Sequence, residues 1–157
     1  MADLLSIYVR DHLAGSVVAR RRCAAARERA EGTDLAVFLG ELLREIEADQ
    51  AHLRLVMRRV QAPEPSFRKV AAAVGERLGR LKPNGRLVGP SPLGVLIDLE
   101  LLSLGVEGKR RLWHALDALE DERLHDVDFA ILVERAEQQL ERLETQRLAA
   151  AKTALAA

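Results

Sequence analysis

The chain has 157 residues, of which 48% are hydrophobic, 31% are charged and only 3% are aromatic. Its 24 basic side chains are balanced by 24 acidic ones, which argues against a dedicated nucleic-acid binder, since neutralising phosphates needs a basic excess. Scarce aromatic residues and abundant alanine, leucine, arginine and glutamate favour helices over strands, so we expect an all-α protein with one helical-bundle domain over residues 1–157.

The first predicted helix begins after Asp3, a suitable N-cap, and extends to about Ala30. Alternating steps of four and three trace its packing face, or seam: Leu5, Val9, His12, Ser16, Ala19, Cys23, Ala26 and Ala30. Cys23 is the only cysteine of the chain, so an intramolecular disulfide is impossible and we expect a small residue in the helix packing.

The second predicted helix is capped by Thr33, extends to Val60 and has the clearest periodicity of the chain. Large aliphatic residues and a single acid form its seam: Leu35, Leu39, Leu42, Ile46, Asp49, Leu53, Val56 and Val60. Burying a lone carboxylate costs several kcal/mol unless it is paired, protonated or bound to a metal. We therefore predict that Asp49 points inward and has a partner.

The connection between the first two helices, Gly32-Thr33, is so short that the helices must be antiparallel neighbours. This arrangement places His12 opposite His52 and Asp49 within one turn of both. We predict a buried polar cluster in which Asp49 is bonded to His12 or His52. Two alternatives remain open: Asp49 binds a metal, or a shifted register turns it towards solvent.

The interval before Ser91 is long enough to cross the whole bundle, and we predict a short third helix there, over residues 67–81. A fourth helix follows Ser91 as N-cap and Pro92 at the first helical position, and should end near residue 119. It is apolar on most sides and should be buried on most sides. Asp98 and Glu100 interrupt it. Each is expected either at the bundle edge or bonded to a backbone amide of the crossover. Glu100 also stays a candidate for the polar cluster.

The last predicted helix follows Asp126 as N-cap, and its seam consists of Phe129, Val133, Ala136, Leu140 and Leu143. The polar side of this helix is acidic, which argues against binding to anionic membranes. The helix-prone tail over residues 149–157 has little to bury, so we expect it either to fray or to meet a second subunit. We expect a homo-oligomer, with a dimer favoured, and leave a different protein partner as the alternative.

The predicted layout is two tightly joined helices, a long crossover with a short helix, and two more helices joined by a short turn. In this layout and in its helix lengths the sequence resembles the ferritin-like superfamily over nearly the whole chain. The resemblance implies a four-helix bundle with one long crossover. In active members, a glutamate from each of two helices and Glu-x-x-His from each of the other two hold two iron or manganese ions.

Asp49-Gln50-Ala51-His52 looks like a shortened form of the family's Glu-x-x-His motif. The corresponding stretch of the last helix, residues 134–137, reads Glu-Arg-Ala-Glu and has no histidine. The resemblance therefore implies an incomplete di-metal centre. We expect no resident cofactor, with iron or manganese as the alternative.

We accordingly expect a structural, interaction or small-ligand-binding module whose candidate site comprises His12, Asp49, His52 and Glu100, with no catalytic residue assigned. The alternative is a metal-binding ferritin-like oxidase or storage protein with a reduced site made of His12, Asp49 and His52. Whether the protein is an enzyme is left open. The first residues lack a basic segment followed by a long apolar run, so a cytoplasmic location is expected.

Overall fold

The computed structural model describes residues 3–63 and 91–156. Four long helices make up most of these residues: α1 (Leu4–Arg29), α2 (Asp34–Arg59), α3 (Pro92–Asp117) and α4 (Phe129–Leu155). A short 3-10 helix (Glu122–Leu124) lies between α3 and α4, and the described residues contain no strand. The prediction of an all-α four-helix bundle is confirmed. The short helix predicted over residues 67–81 lies outside the described residues.

Side-chain caps begin the first three helices where the sequence predicted them. Asp3, Thr33 and Ser91 are the N-caps, and each side chain accepts a hydrogen bond from a backbone N–H in the first turn of its helix. The predicted cap of the last helix was wrong by two residues. Asp128 caps α4, and Asp126 instead accepts hydrogen bonds from the guanidinium of Arg59. The 3-10 helix and the turn after it carry the chain past Asp126 before α4 begins.

The helices form a square arrangement in which α1 contacts α2 and α3, and α4 contacts α3 and α2. The diagonal pairs are therefore α1 with α4 and α2 with α3. The C-terminal halves of α2 and α3 share one apolar cluster with the N-terminal parts of α1 and α4. Both diagonal pairs thus run parallel, whereas helices that contact each other run antiparallel.

The core consists of two apolar clusters, one towards each end of the bundle. One cluster is built around Trp113, Leu116, Met57 and Val9, and the other around Leu39, Leu42, Leu99 and Leu143. Cys23 belongs to the second cluster, as expected of a packing residue; it is fully buried, with Sγ 3.3 Å from the Leu39 carbonyl oxygen. Burial raises the pKa of the Cys23 thiol to about 12.

Polar side chains occupy the middle of the bundle between these two clusters. We call this set the polar layer; its members are Ser16, Asp49, Gln50, Lys109, Arg135 and Gln139. All four helices contribute to it. None of the described helices is long and apolar enough to cross a membrane.

Candidate functional site

Asp49 is the central acid of the polar layer and is only 4% exposed. Lys109 of α3 reaches across the diagonal, and its Nζ donates to Asp49 Oδ2 and to Gln139 Oε1. Gln139 Nε2 also donates to Asp49 Oδ2, at 3.4 Å. Arg135 Nη2 is in ionic contact with Asp49 Oδ1, without an aligned hydrogen bond. The prediction that Asp49 is buried and has a partner is confirmed.

The predicted identity of that partner was wrong, because neither histidine pairs with Asp49. His52 Nδ1 lies 2.8 Å from the carbonyl oxygen of Ala48, within its own helix. His12 is half-buried and stacks edge-on against Tyr8, with ring centroids 4.7 Å apart. The inward carboxylate is instead met by long cationic side chains from α3 and α4, which reach the bundle centre where the histidine rings do not.

His12 nevertheless lines the same cavity as Asp49. Burial lowers the pKa of His12, and the negative charge of Asp11 only partly opposes that shift. The ring is therefore mainly neutral at pH 7, so it adds a hydrogen-bonding group rather than a charge to the cavity.

The two acids of α3 have different environments. Glu100 is exposed and lies 3.7 Å from Arg147 Nη1 at the edge of the bundle, so it does not belong to the polar cluster in which the sequence placed it. Asp98 is 8% exposed and accepts hydrogen bonds from Arg22 Nη1, at 2.6 Å, and from Arg29 Nη2. These arginines fasten the end of α1 to the start of α3.

A cavity of about 290 Å³ lies between α1 and α3, with residues of α2 as its floor. The surface that faces the cavity is mostly apolar, and the polar residues lie together at one level. The apolar lining residues are Ala19, Ile46, Leu53, Leu102, Leu104, Val106, Leu112 and Trp113. The polar lining residues are Asp11, His12, Ser16, Asp49, Gln50 and Lys109.

Three glycines also line this cavity: Gly15, Gly105 and Gly108. A Cβ atom at Gly15 or Gly108 would meet nothing within 4 Å, and one at Gly105 would meet only the Cβ of Ala19, at 3.7 Å. Glycine in a helix interior costs about 0.5–1 kcal/mol relative to alanine. Because these glycines have no side chains, space remains between α1 and α3. The helices are less stable as a result.

Two hydrogen-bond donors on α3 remain without acceptors among the described residues. A lysine ammonium has three N–H groups, and Lys109 uses two of them, on Asp49 and Gln139. The indole Nε1 of Trp113 is fully buried and has no acceptor. Lys109 and Trp113 are four residues apart on α3 and hence lie on the same face of the helix.

The polar layer also carries a surplus of positive charge. Asp49 contributes one negative charge, whereas Lys109 and Arg135 each contribute a positive one. Burial lowers the pKa of Lys109, and the charge and hydrogen bond of Asp49 oppose that shift. Asp49 therefore helps to keep the buried ammonium protonated.

The donor set does not fit the di-metal centre that the ferritin-like resemblance implies. Among residues 3–63 and 91–156, no group of three or more histidines, cysteines, aspartates or glutamates is placed to hold a metal ion. The groups around Asp49 are two cations and an amide, and Lys109 and Arg135 already neutralise the carboxylate. A metal ion there would be repelled by both.

Sequence reasoning missed Lys109, Arg135 and Gln139, although the helical spacing contained a signal for two of them. Extending the seam of α3 from Leu102 and Val106 by alternating steps of three and four reaches Lys109 and then Trp113. The same steps along α4 give Phe129, Leu132, Ala136, Gln139 and Leu143, all of which are buried. The packing face predicted from the sequence contains Val133 and Leu140 in place of Leu132 and Gln139.

No protein-family model, no curated protein and no solved structure matches this chain. What can be inferred about its function therefore comes from the cavity and the polar layer.

Proposed function

We propose that this protein is a ferritin-like four-helix bundle without a complete di-metal centre, and that it binds a small, largely apolar molecule between α1 and α3. The ferritin-like assignment is supported by the helix directions. Contacting helices are antiparallel and α2 runs parallel to α3, as in a bundle with one long crossover.

The cavity is the observation that carries the binding proposal. Its volume of about 290 Å³ is near the lower end of the range of roughly 300–1,000 Å³ typical of small-molecule sites. Its apolar walls and its few polar groups at one level are also typical of such sites. A Cβ atom could be added at each of the three glycines of the lining without a clash, which suggests a space that is used.

The polar groups are better suited to binding than to proton transfer by Asp49. Oδ2 of Asp49 accepts hydrogen bonds from Lys109 and Gln139, and Oδ1 is in ionic contact with Arg135. A carboxylate held in this way is a poor general base, because taking up a proton would leave Lys109 and Arg135 without their counter-charge. The binding role is therefore preferred over an enzymatic one.

A neutral fluorescent probe, 1-aminoanthracene, tests the proposal. We expect saturable binding at one site per chain and displacement of the probe by 1-octanol. Gly108→Leu should weaken binding at least about tenfold, because a leucine side chain extends into the cavity and removes apolar contact area from the probe.

The matched control is Ala115→Leu, which adds the same side chain to an exposed position of the same helix. It should bind the probe like the unmodified protein. Circular dichroism would check that both variants keep their helices. Probe binding that is absent in the unmodified protein, or unchanged in Gly108→Leu, would contradict the proposal.

The homodimer and the cytoplasmic location stay predictions. Native mass spectrometry of the purified chain would test the first of them. A mass equal to one chain at micromolar concentration would contradict the dimer.

A further inference from the structure

We propose that the molecule bound in this cavity is a small monocarboxylate with an apolar body, whose carboxylate accepts a hydrogen bond from Lys109 Nζ. This inference rests on the proposed binding function and adds the chemical class of the ligand. Three observations support it: the charge balance of the polar layer, the free donor of Lys109, and the apolar walls.

The charge balance favours an anion with a single charge. Asp49 neutralises only one of its two cationic neighbours, Lys109 and Arg135. Glu45 also acts electrostatically on Lys109, but its carboxylate is bound by Arg142 Nη2 at 2.7 and 2.6 Å. One positive charge of the layer is therefore left over, and a bound carboxylate would balance it.

The free donor of Lys109 favours a charged acceptor over a neutral one. Lys109 lines the cavity, and one of its three N–H groups has no acceptor among the described residues. Leaving a donor there unpaired is costly. A carboxylate oxygen that accepts from this ammonium forms a charge-assisted hydrogen bond, which is roughly twice as strong as a bond between neutral groups.

The remaining walls favour an aliphatic or aromatic body. Ile46 and Leu53 form part of the floor, and Leu102 and Leu112 form part of the α3 wall. A sugar or a dicarboxylate would bury polar groups against these side chains without partners. Asp11 also lines the cavity, but it is exposed, so its repulsion of an anion is screened by water.

The first experiment compares three ligands of equal chain length on the unmodified protein: octanoate, 1-octanol and octylamine. Displacement of 1-aminoanthracene gives the affinities. We expect octanoate to bind at least about tenfold more tightly than 1-octanol, since charge-assisted hydrogen bonds exceed neutral ones by roughly that factor. Octylamine should bind most weakly because its charge adds to the surplus already present.

Trp113 supplies an independent readout because it is the only tryptophan of the chain. A two-dimensional proton–nitrogen correlation NMR spectrum of the protein therefore contains a single indole N–H signal. Octanoate and 1-octanol should both move that signal, because Trp113 lines the cavity. An indole signal that both ligands leave unchanged would overturn binding in this cavity.

The second experiment replaces the cation. Lys109→Met keeps a long apolar stem and should reduce octanoate affinity to that of 1-octanol, while 1-octanol binding is retained. Lys152→Met, at an exposed position near the end of α4, is the control and should bind both ligands normally. If Lys109→Met does not fold, the three-ligand comparison on the unmodified protein decides the question by itself.

The outcomes separate this inference from the proposed function. Equal affinities for octanoate and 1-octanol, or tighter binding of octylamine, would overturn the carboxylate and leave the apolar cavity site standing. Octanoate binding that Lys109→Met does not alter would also overturn it. Absence of probe binding to the unmodified protein would overturn both proposals.

Discussion

At the scale of single residues, the buried carboxylate of Asp49 is the feature on which the polar layer depends. Its ionic partners are Lys109 and Arg135, which come from two other helices. Lys109 lies 60 residues further along the chain. Buried ion pairs of this kind contribute little net stability compared with apolar residues of similar size, but removing one partner leaves an uncompensated buried charge. Substitutions at Asp49 and Lys109 should therefore be strongly coupled.

We predict that Asp49→Ala lowers the free energy of unfolding by about 3 kcal/mol, because two buried cations then lose their counter-charge. The double variant Asp49→Ala/Lys109→Met should lose less than the sum of the single changes, with a coupling of at least about 1 kcal/mol. Urea denaturation monitored by circular dichroism measures each term.

His52→Ala is the comparison variant for this prediction. Its ring bonds only the Ala48 carbonyl of its own helix, so the change should cost less than about 1 kcal/mol. Additive effects of Asp49→Ala and Lys109→Met, or a larger loss in His52→Ala than in Asp49→Ala, would refute the cation pairing described above.

At the scale of helices, the C-terminal ends of α2 and α3 are strained by residues that are not glycine. Gln61 and Glu120 have positive φ angles of 57° and 48°, in the left-handed region that favours glycine. The Gln61 and Ala62 amides donate back to the last turn of α2, to the carbonyls of Arg58 and Met57. The end of α2 thus uses a glycine-type cap without the glycine.

Replacing these residues by glycine should stabilise the protein. We predict that Gln61→Gly and Glu120→Gly each raise the free energy of unfolding by about 0.5–1 kcal/mol, since the left-handed conformation then carries no side-chain penalty. Thermal and urea denaturation measure the change. Gly32→Ala provides the opposite control, because Gly32 has φ of 81° and alanine there should destabilise. A loss of stability in both glycine variants would contradict the assignment of strain.

A charge network on α3 makes stability depend on acid pH. Hydrogen bonds from Arg110 and Arg111 lower the pKa of Glu107 from 4.5 to about 2. Because the folded-state pKa is lower than the unfolded one, the network stabilises the fold above about pH 4.5. That contribution is lost as the pH falls from 4.5 towards 2. Arg110 Nη1 also reaches Glu137 of α4, at 3.2 Å.

We predict that Glu107→Gln flattens the stability profile between pH 4.5 and 2 and lowers neutral-pH stability by less than about 1 kcal/mol, because the network is partly solvated and screened. Urea midpoints across that pH range provide the measurement. The difference between the two proteins should shrink in high salt. If the unmodified protein and Glu107→Gln lose stability identically towards acid pH at low salt, Glu107 does not supply this pH dependence.

At the scale of the whole molecule, two apolar clusters hold the four helices together and the polar layer separates them. The same middle level contains the cavity, so the bundle is open to a ligand at the place where its core is polar. The surplus positive charge at that level opposes a metal cation and favours an anion. We therefore expect the protein to bind a carboxylate at this level and not to bind a metal ion there.

We predict that protein purified without chelators contains iron, manganese and zinc at well below one atom per chain. Adding iron(II) or manganese(II) should leave the thermal midpoint unchanged, whereas octanoate should raise it by mass action. Elemental analysis and thermal denaturation check these outcomes. Stoichiometric metal that disappears in Asp49→Ala would instead restore the metal-binding oxidase or storage protein as the better explanation.

Local features of the sequence determined the helices of this protein, most of their caps and the inward direction of Asp49. Capping and 3.5-residue periodicity act over a few neighbouring residues, so they are readable without a partner helix. The single polar member of an otherwise aliphatic seam was enough to predict a buried acid. The same local reasoning failed for Asp128, because a short 3-10 helix displaced the start of α4.

Only the tertiary structure decided which residues meet Asp49 and where the cavity lies. Lys109 and Arg135 reach the carboxylate because α2 faces α3 across the diagonal and α4 lies beside both. The glycines at positions 105 and 108 form a cavity wall only because α1 packs opposite them. Such contacts depend on the rotation and register of helices far apart in the chain, and helical periodicity within one segment does not specify either.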